Sequence, residues 1–203
     1  MISKAGTFVK LVFLSLGFIV LLSFNAFAAE PPEAGQVLEE INLARTDPAA
    51  YAGFLRRFRS YFKGRVYQQP DSDIRIQTQE GRKAVDEAIT FLSRQKPLKP
   101  LVWSNGLAAA AGSLVNEQGS TGATGHSDSH GNGHRERVES QGKWERSLAE
   151  NIGYGPTVAR DMVMQLIVDD GVSDRGHRRN IFTAGFGSAG VACGPHQIGR
   201  AHV

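Results

Sequence analysis

Residues 119 to 134 hold Gly119, Gly122, Gly125, Gly131 and Gly133 among Ser, Thr, Asp and His. Each glycine weakens a helix by roughly 1 kcal/mol against alanine, so this stretch is loop chemistry set between helical patterns. The chain has six histidines, none before residue 126, and three of them, His126, His130 and His134, lie in this loop. Their spacing would align them on one helix, but Gly131 and Gly133 argue against that helix. His130 and His134 read as solvated polar residues. His177 lies in Asp174-Arg-Gly-His-Arg-Arg-Asn-Ile181, and His196 and His202 fall near the end of the chain.

Around this loop the pattern is helical. Residues 33 to 45 carry Ala34, Val37, Leu38, Ile41 and Ala44 on one face. Thr46-Asp47-Pro48 reads as a stop and restart, with Asp47 as N-cap and Pro48 at the first helical position of a helix to about Tyr61. Residues 64 to 79 have little periodicity and are expected to be a loop. Helical spacing returns from Glu80 to Gln95 and ends at Lys96-Pro97-Leu98-Lys99-Pro100. Ser104 can cap a helix over 106–118, closed by Gly119 at C′. A short helix over 135–141 and one over 158–169, capped by Thr157, should follow. From Phe186 to Cys193, Ala189, Val191 and Cys193 alternate with Ser188, Gly190 and Ala192, which suits a strand in close contact with its neighbours.

The chain has 203 residues, a length that suggests one domain with appendages. Residues 1–28 have Lys4 and Lys10, an apolar run from Leu11 to Leu22, and Ala26-Phe27-Ala28. These are the parts of a secretory signal peptide cleaved after Ala28. An uncleaved anchor is the rival, since the run is only a little shorter than a bilayer span. No other stretch could span a membrane, so the mature protein is expected to be secreted or periplasmic. Without residues 1–28 the charge falls from +3 to +1, and the densest basic cluster is Arg56, Arg57, Arg59, Lys63 and Arg65. A nucleic-acid partner is therefore not expected.

Several chemistries leave no local signature. There is no HExxH, no paired CxxC, no GxSxG elbow and no P-loop. Ser-His-Asp triads assemble from distant positions, but no serine here stands in a recognisable nucleophile setting. Cys193 is the only cysteine, where an exported chain more often carries an even number. In an apolar strand it reads as an inert thiol.

Five segments, in order, resemble one family. Leu98-Lys-Pro-Leu-Val-Trp-Ser-Asn-Gly-Leu-Ala-Ala-Ala-Ala111 is similar to the helix entry of CAP domains, the superfamily of cysteine-rich secretory, antigen 5 and pathogenesis-related proteins, also called SCP-like. Gly125-His126-Ser-Asp-Ser resembles the loop bearing that family's first cleft histidine. Ala149-Glu150-Asn151-Ile152-Gly153, Gly176-His177-Arg-Arg-Asn-Ile181 and Gly190-Val-Ala-Cys-Gly194 resemble its later signatures.

The resemblance implies an α+β fold, a three-layer α-β-α sandwich with a small sheet, over residues 29–197. The segment from about 46 to 96 looks like an insertion. The resemblance also implies a cleft where His126, Glu150 and His177 converge, with a second acid at Asp169 or Asp170.

Two imidazoles could hold a divalent ion such as zinc, making His126 and His177 candidate metal ligands. Alternatively, Glu150 orients a histidine ring in a purely structural network. Two functions follow. One is an extracytoplasmic binding module for a lipid, sterol, glycan or peptide. The other is a metal-assisted, peptidase-like hydrolase with Glu150 as general base and His126 and His177 beside it.

Family members run on past Cys-Gly-Pro-His into another strand with a second cysteine. Ile198 to Val203 can instead be written ATC GGA AGA GCA CAC GTC, a common sequencing-adapter read. Residues 198–203 are therefore expected to be a non-native tail on a truncated chain. The sheet should then lack its last strand, with residues 186–193 left as an unpaired edge and Cys193 without its partner.

Overall fold

The computed structural model describes residues 33–70, 72–197 and, for the backbone, 199–202. The signal-like segment 1–28 lies outside the described residues, and among the described residues no helix is long and apolar enough to cross a membrane.

The first helices form where the sequence places them. α1 (Ala34–Thr46) buries Val37, Leu38 and Ala44. Asp47 caps α2 (Pro48–Ser60) by accepting the Ala50 N–H at 2.9 Å, and Pro48 occupies the first turn. Residues 62–77 are not simply a loop. β1 (Phe62–Lys63), β2 (Val66–Tyr67) and β3 (Ile76–Gln77) form an antiparallel sheet in the order β1-β2-β3. Strands of two residues leave no periodicity to read. α3 (Arg82–Arg94) follows and packs along α2.

The segment 46–96 is woven into the main core. Tyr51, Ala52, Leu55, Phe62, Ala84, Val85, Ala88 and Leu92 join residues of α1 and of α6 (Ala159–Val168) in one buried cluster. Arg45, 1% exposed, ties this layer to distant loops by donating to the carbonyls of Lys99, Ile181 and Thr183.

After β4 (Val102–Trp103), α4 (Asn105–Thr121) begins with Ser104 accepting the Leu107 N–H. It runs past Gly119 and ends at Gly122, which takes the left-handed conformation with φ 73°. Gly119 is needed for another reason. A Cβ there would stand 2.5 Å from the Pro195 carbonyl oxygen, so only glycine lets the strand lie so close. α5 (His134–Glu139) and β5 (Gly153–Tyr154) come next, then α6, whose N-cap is Val158 rather than Thr157. α7 (Gly176–Ile181) carries His177.

The expected strand 186–193 is divided into β6 (Ser188–Ala189), parallel to β4, and β7 (Cys193–His196). Its alternation holds across the break. Ala189, Val191 and Cys193 join the main cluster, while a Cβ on Gly190 or Gly194 would strike Ala108 or Val115 of α4. The sheet therefore lies between α4 and the layer of α1, α2, α3 and α6, as an α-β-α sandwich requires.

A strand does follow β7, contrary to the expected missing strand and unpaired edge. Residues 199–202 form β8 (Gly199–His202), central in the order β5-β8-β7. Pairing needs only backbone N–H and C=O groups, so a segment without apolar alternation can still fill the slot. Cys193 is free and half-buried, and burial pushes its thiol up to about 11, which suits an inert thiol.

Gly190→Ala tests this tight seam. The added Cβ would stand 2.0 Å from the Ala108 backbone nitrogen, which no rotamer change relieves. The expected loss is about 2–3 kcal/mol in urea unfolding. Gly185→Ala, with open space around it, is the matched control.

Candidate functional site

The glycine-rich loop is pinned by neighbours on either side. Gln118, fully buried in α4, donates to the Gly125 carbonyl at 2.7 Å and accepts from the Tyr154 hydroxyl at 2.9 Å. The same hydroxyl accepts the Gly125 N–H. Gly125 has φ 102°, a conformation glycine adopts without strain, and His126 is thereby turned toward Glu150. His196 is a structural residue here, 6% exposed, packed on the Tyr154 ring and bonded through Nε2 to the Ala123 carbonyl. His130 stays exposed, as expected, while His134 starts α5 at the cleft edge.

Two histidine–carboxylate pairs result. Nδ1 of His126 lies 2.8 Å from Glu150 Oε1, and Nδ1 of His177 lies 2.7 Å from Asp169 Oδ1. Ionised carboxylates only accept, so each ring is assigned the Nδ1–H tautomer with Nε2 outward. Among the described residues neither Nε2 has a hydrogen-bond partner. The side chains of Glu150 and Asp169 are 11% and 1% exposed, against 53% and 25% for their histidines.

Asp169, not Asp170, is thus the second acid. It closes α6 in the left-handed conformation, φ 56°, and its Oδ2 accepts the His177 N–H at 2.9 Å. Asp170 faces the other way and accepts the N–H groups of Gln79 and Glu80.

The two pairs are joined through asparagines. Asn151 donates to the His177 carbonyl at 3.1 Å, and Asn180 donates to Asn151 Oδ1 at 2.8 Å. Asn180 also reaches the Glu150 carbonyl at 3.4 Å. Glu150, Asn151 and Asn180 line a cleft of about 780 Å³, and neither His126 nor His177 is among its lining residues. The expected single pocket shared by 126, 150 and 177 is therefore two linked pairs beside a cleft that only Glu150 enters.

Arginines carry what sequence reasoning missed. Arg137, 5% exposed, forms an ion pair with Glu150 Oε2 and donates to the carbonyls of His126 and Asn132. Arg175, at the start of α7, is bonded to the carboxylates of Glu80 and Glu87 and to the Asp169 carbonyl. Glu80 is pulled down to about 2, chiefly by the Arg175 hydrogen bonds and then by the Gly171 N–H. Arg178 donates to the last carbonyls of α6, Ile167 and Val168, and to Glu87. The 46–96 segment thus braces the loop that holds Asp169 and His177. Asn151 and Asn180 lie inside the motifs, but no local pattern marks Arg137, whose partners are 5 to 13 residues away across a loop, or Arg175, whose carboxylate partners are 88 and 95 residues away.

Of the expected metal ligands, His126 and His177 each keep Nε2 outward, and Glu150 is not free to complete a shell with them. Both Glu150 oxygens are engaged by His126 and Arg137. Among the described residues no three of His, Cys, Asp and Glu are grouped to hold an ion. Carboxylates on Nδ1 are the partners that orient a metal-binding ring, so what fits is at most a ligand at each outward Nε2.

Comparison with curated proteins and with solved structures returns no match. A family model described as CAP, cysteine-rich secretory protein family, matches residues 38–203, which include both histidine pairs, the cleft walls and β8. With the sandwich and the ordered motifs already in place, that match makes this chain a member of the CAP family.

Proposed function

We propose that the protein is an extracytoplasmic binding module whose cleft takes an amphipathic ligand, a lipid or sterol with one polar end. The observation that carries this reading is the composition of the 780 Å³ cleft. Ile41, Leu107, Ala111, Leu166, Phe186 and Val191 supply apolar walls, and Glu150, Asn151 and Asn180 supply polar groups along the stretch tied to both histidine pairs. A pocket of this size and mixture suits a largely buried small molecule oriented by a few polar contacts. The wall from His134 to Ser147 adds Gln141, Lys143, Glu145 and Arg146, which supply further polar groups for the polar end of such a ligand. The extracytoplasmic setting rests on the signal-like residues 1–28.

The metal-assisted hydrolase draws less support. A general base needs a lone pair directed at its water, and Glu150 is held on one oxygen by His126 and on the other by Arg137. Its place suits orientation of His126 better than proton abstraction.

Titration with a fluorescent fatty acid and a fluorescent sterol tests the proposal. Gly106 lines the cleft, and the nearest atom to an added Cβ is 3.7 Å away, so Gly106→Trp should fold and fill part of the space. We expect saturable binding by the wild type and at least about tenfold weaker binding by the variant, since displacing one buried apolar group is worth that much. Equal affinity in both, or binding only of soluble oligosaccharides, would refute the reading.

A further inference from the structure

We infer that residues 56–78, the end of α2 with the β1-β2-β3 sheet, form a docking surface for an anionic lipid bilayer. The first observation is the sheet's apolar side. Phe62 pairs with Tyr67, and Tyr67 pairs with Ile76, so these three lie across from one another on adjacent strands. Phe62 is 2% exposed and Phe58 meets both aromatic rings edge-on, at 5.1 and 4.8 Å. The same side then continues outward. Ile76 is 43% exposed, and Ile74, two residues earlier and so on the same side of an extended chain, is 69% exposed. An apolar side that starts in the core ends as two isoleucines in water.

The second observation is charge. Residues 56–78 hold Arg56, Arg57, Arg59, Lys63, Arg65 and Arg75 against Asp71 and Asp73. The rest of residues 29–203 carries fifteen basic and eighteen acidic residues, so a weakly charged chain concentrates its positive charge here. Arg59 is paired with Asp86, but Arg57, Lys63, Arg65 and Arg75 are exposed and have no ion pair among the described residues. Arg75 lies between the two isoleucines in the chain and, by the same alternation, on the other side of the strand. Lys63 shares that other side with Val66, and Arg65 stands in the two-residue β1-β2 turn.

The combination selects the occupant. Long cationic side chains at the edge of an aliphatic patch can extend to phosphate headgroups while the isoleucines meet hydrocarbon, each cation near an anionic surface adding about a fivefold gain. A nucleic acid offers the phosphates but no apolar phase, and isoleucine gives bases no ring to stack on. This inference is independent of what fills the cleft.

Sedimentation with phosphatidylcholine vesicles, with and without phosphatidylglycerol, tests it. The full chain is used throughout, and all variants share the same N-terminal segment, so its contribution cancels between them. Wild type should prefer the anionic vesicles and lose that preference at high salt. Lys63→Glu with Arg65→Glu and Arg75→Glu should weaken binding by about a hundredfold or more. Ile74→Ser with Ile76→Ser should weaken it about tenfold without removing the salt dependence. Lys96→Glu, an exposed lysine elsewhere, should change it little. Circular dichroism confirms folding of each. Equal sedimentation of wild type and the triple variant would overturn the inference. So would a duplex oligonucleotide that displaces the vesicles and binds the isoleucine variant as well as wild type.

Discussion

Replacing Arg175 by alanine is expected to lower folding stability by about 2–3 kcal/mol, less than for a fully buried ion pair because the Glu80 and Glu87 side chains keep 25% and 46% of their surface in water. The side chain is 11% exposed and donates to Glu80 and Glu87 of the 46–96 segment and to the Asp169 and Val172 carbonyls. Without it, two carboxylates face each other across the vacated space, and the turn that presents Asp169 to His177 loses its brace. Arg175→Lys should recover only part, because an ammonium cannot reproduce the planar fork that meets both carboxylates. Urea unfolding at neutral pH measures both changes. A loss below about 1 kcal/mol in the alanine variant would mean the network is a solvated surface cluster.

The same variant should change how stability responds to acid. Glu80 sits near 2 in the folded protein against an ordinary 4.5, so its ionised form favours the folded state. That contribution is complete above pH 4.5 and is lost as pH falls from there toward 2. Glu87 is lowered too, first by Arg175, and adds in the same direction. Wild-type stability should therefore fall through this window more steeply than that of Arg175→Ala, whose carboxylates lack their main partner. Parallel slopes would assign the acid loss to other groups.

What the sequence shows of this protein depends on how local each cause is. Asp47-Pro48 and Ser104 act within one turn, and the helices they start appear where those residues place them. The alternation of Ala189, Val191 and Cys193 survives a break in the strand because the burial of one side enforces it. Gly119 was legible as a glycine but not as a contact. Its meaning depends on Pro195, far along the chain, so local rules assign it to a helix end. β1 to β3 are too short for periodicity, and β8 is held by pairing that leaves no side-chain pattern.

The candidate site divides along the same line. His126, Glu150 and His177 stand in recognisable motifs, and the first two are directly paired. The partner of His177 is Asp169, which the left-handed turn at the end of α6 aims back at the ring. No feature of the sequence separates Asp169 from Asp170, because one backbone conformation decides which carboxylate faces inward.

Arg137→Met gives the second large effect and shows whether the histidine loop is held from beneath. Arg137 spans three partners, the Glu150 carboxylate and the carbonyls of His126 and Asn132. Methionine keeps much of the buried length but supplies no donor, so Glu150, 11% exposed, is left with His126 alone. The expected loss is about 3 kcal/mol, with faster amide exchange across residues 126–132. Adding Glu150→Gln to Arg137→Met removes the stranded charge and should restore about 1 kcal/mol or more. If the arginine were only a packing residue, the two changes would add, since nothing would couple them. Recovery in the double variant would show that the cost is electrostatic, and therefore that Arg137 serves as the counter-charge of Glu150 at the cleft wall.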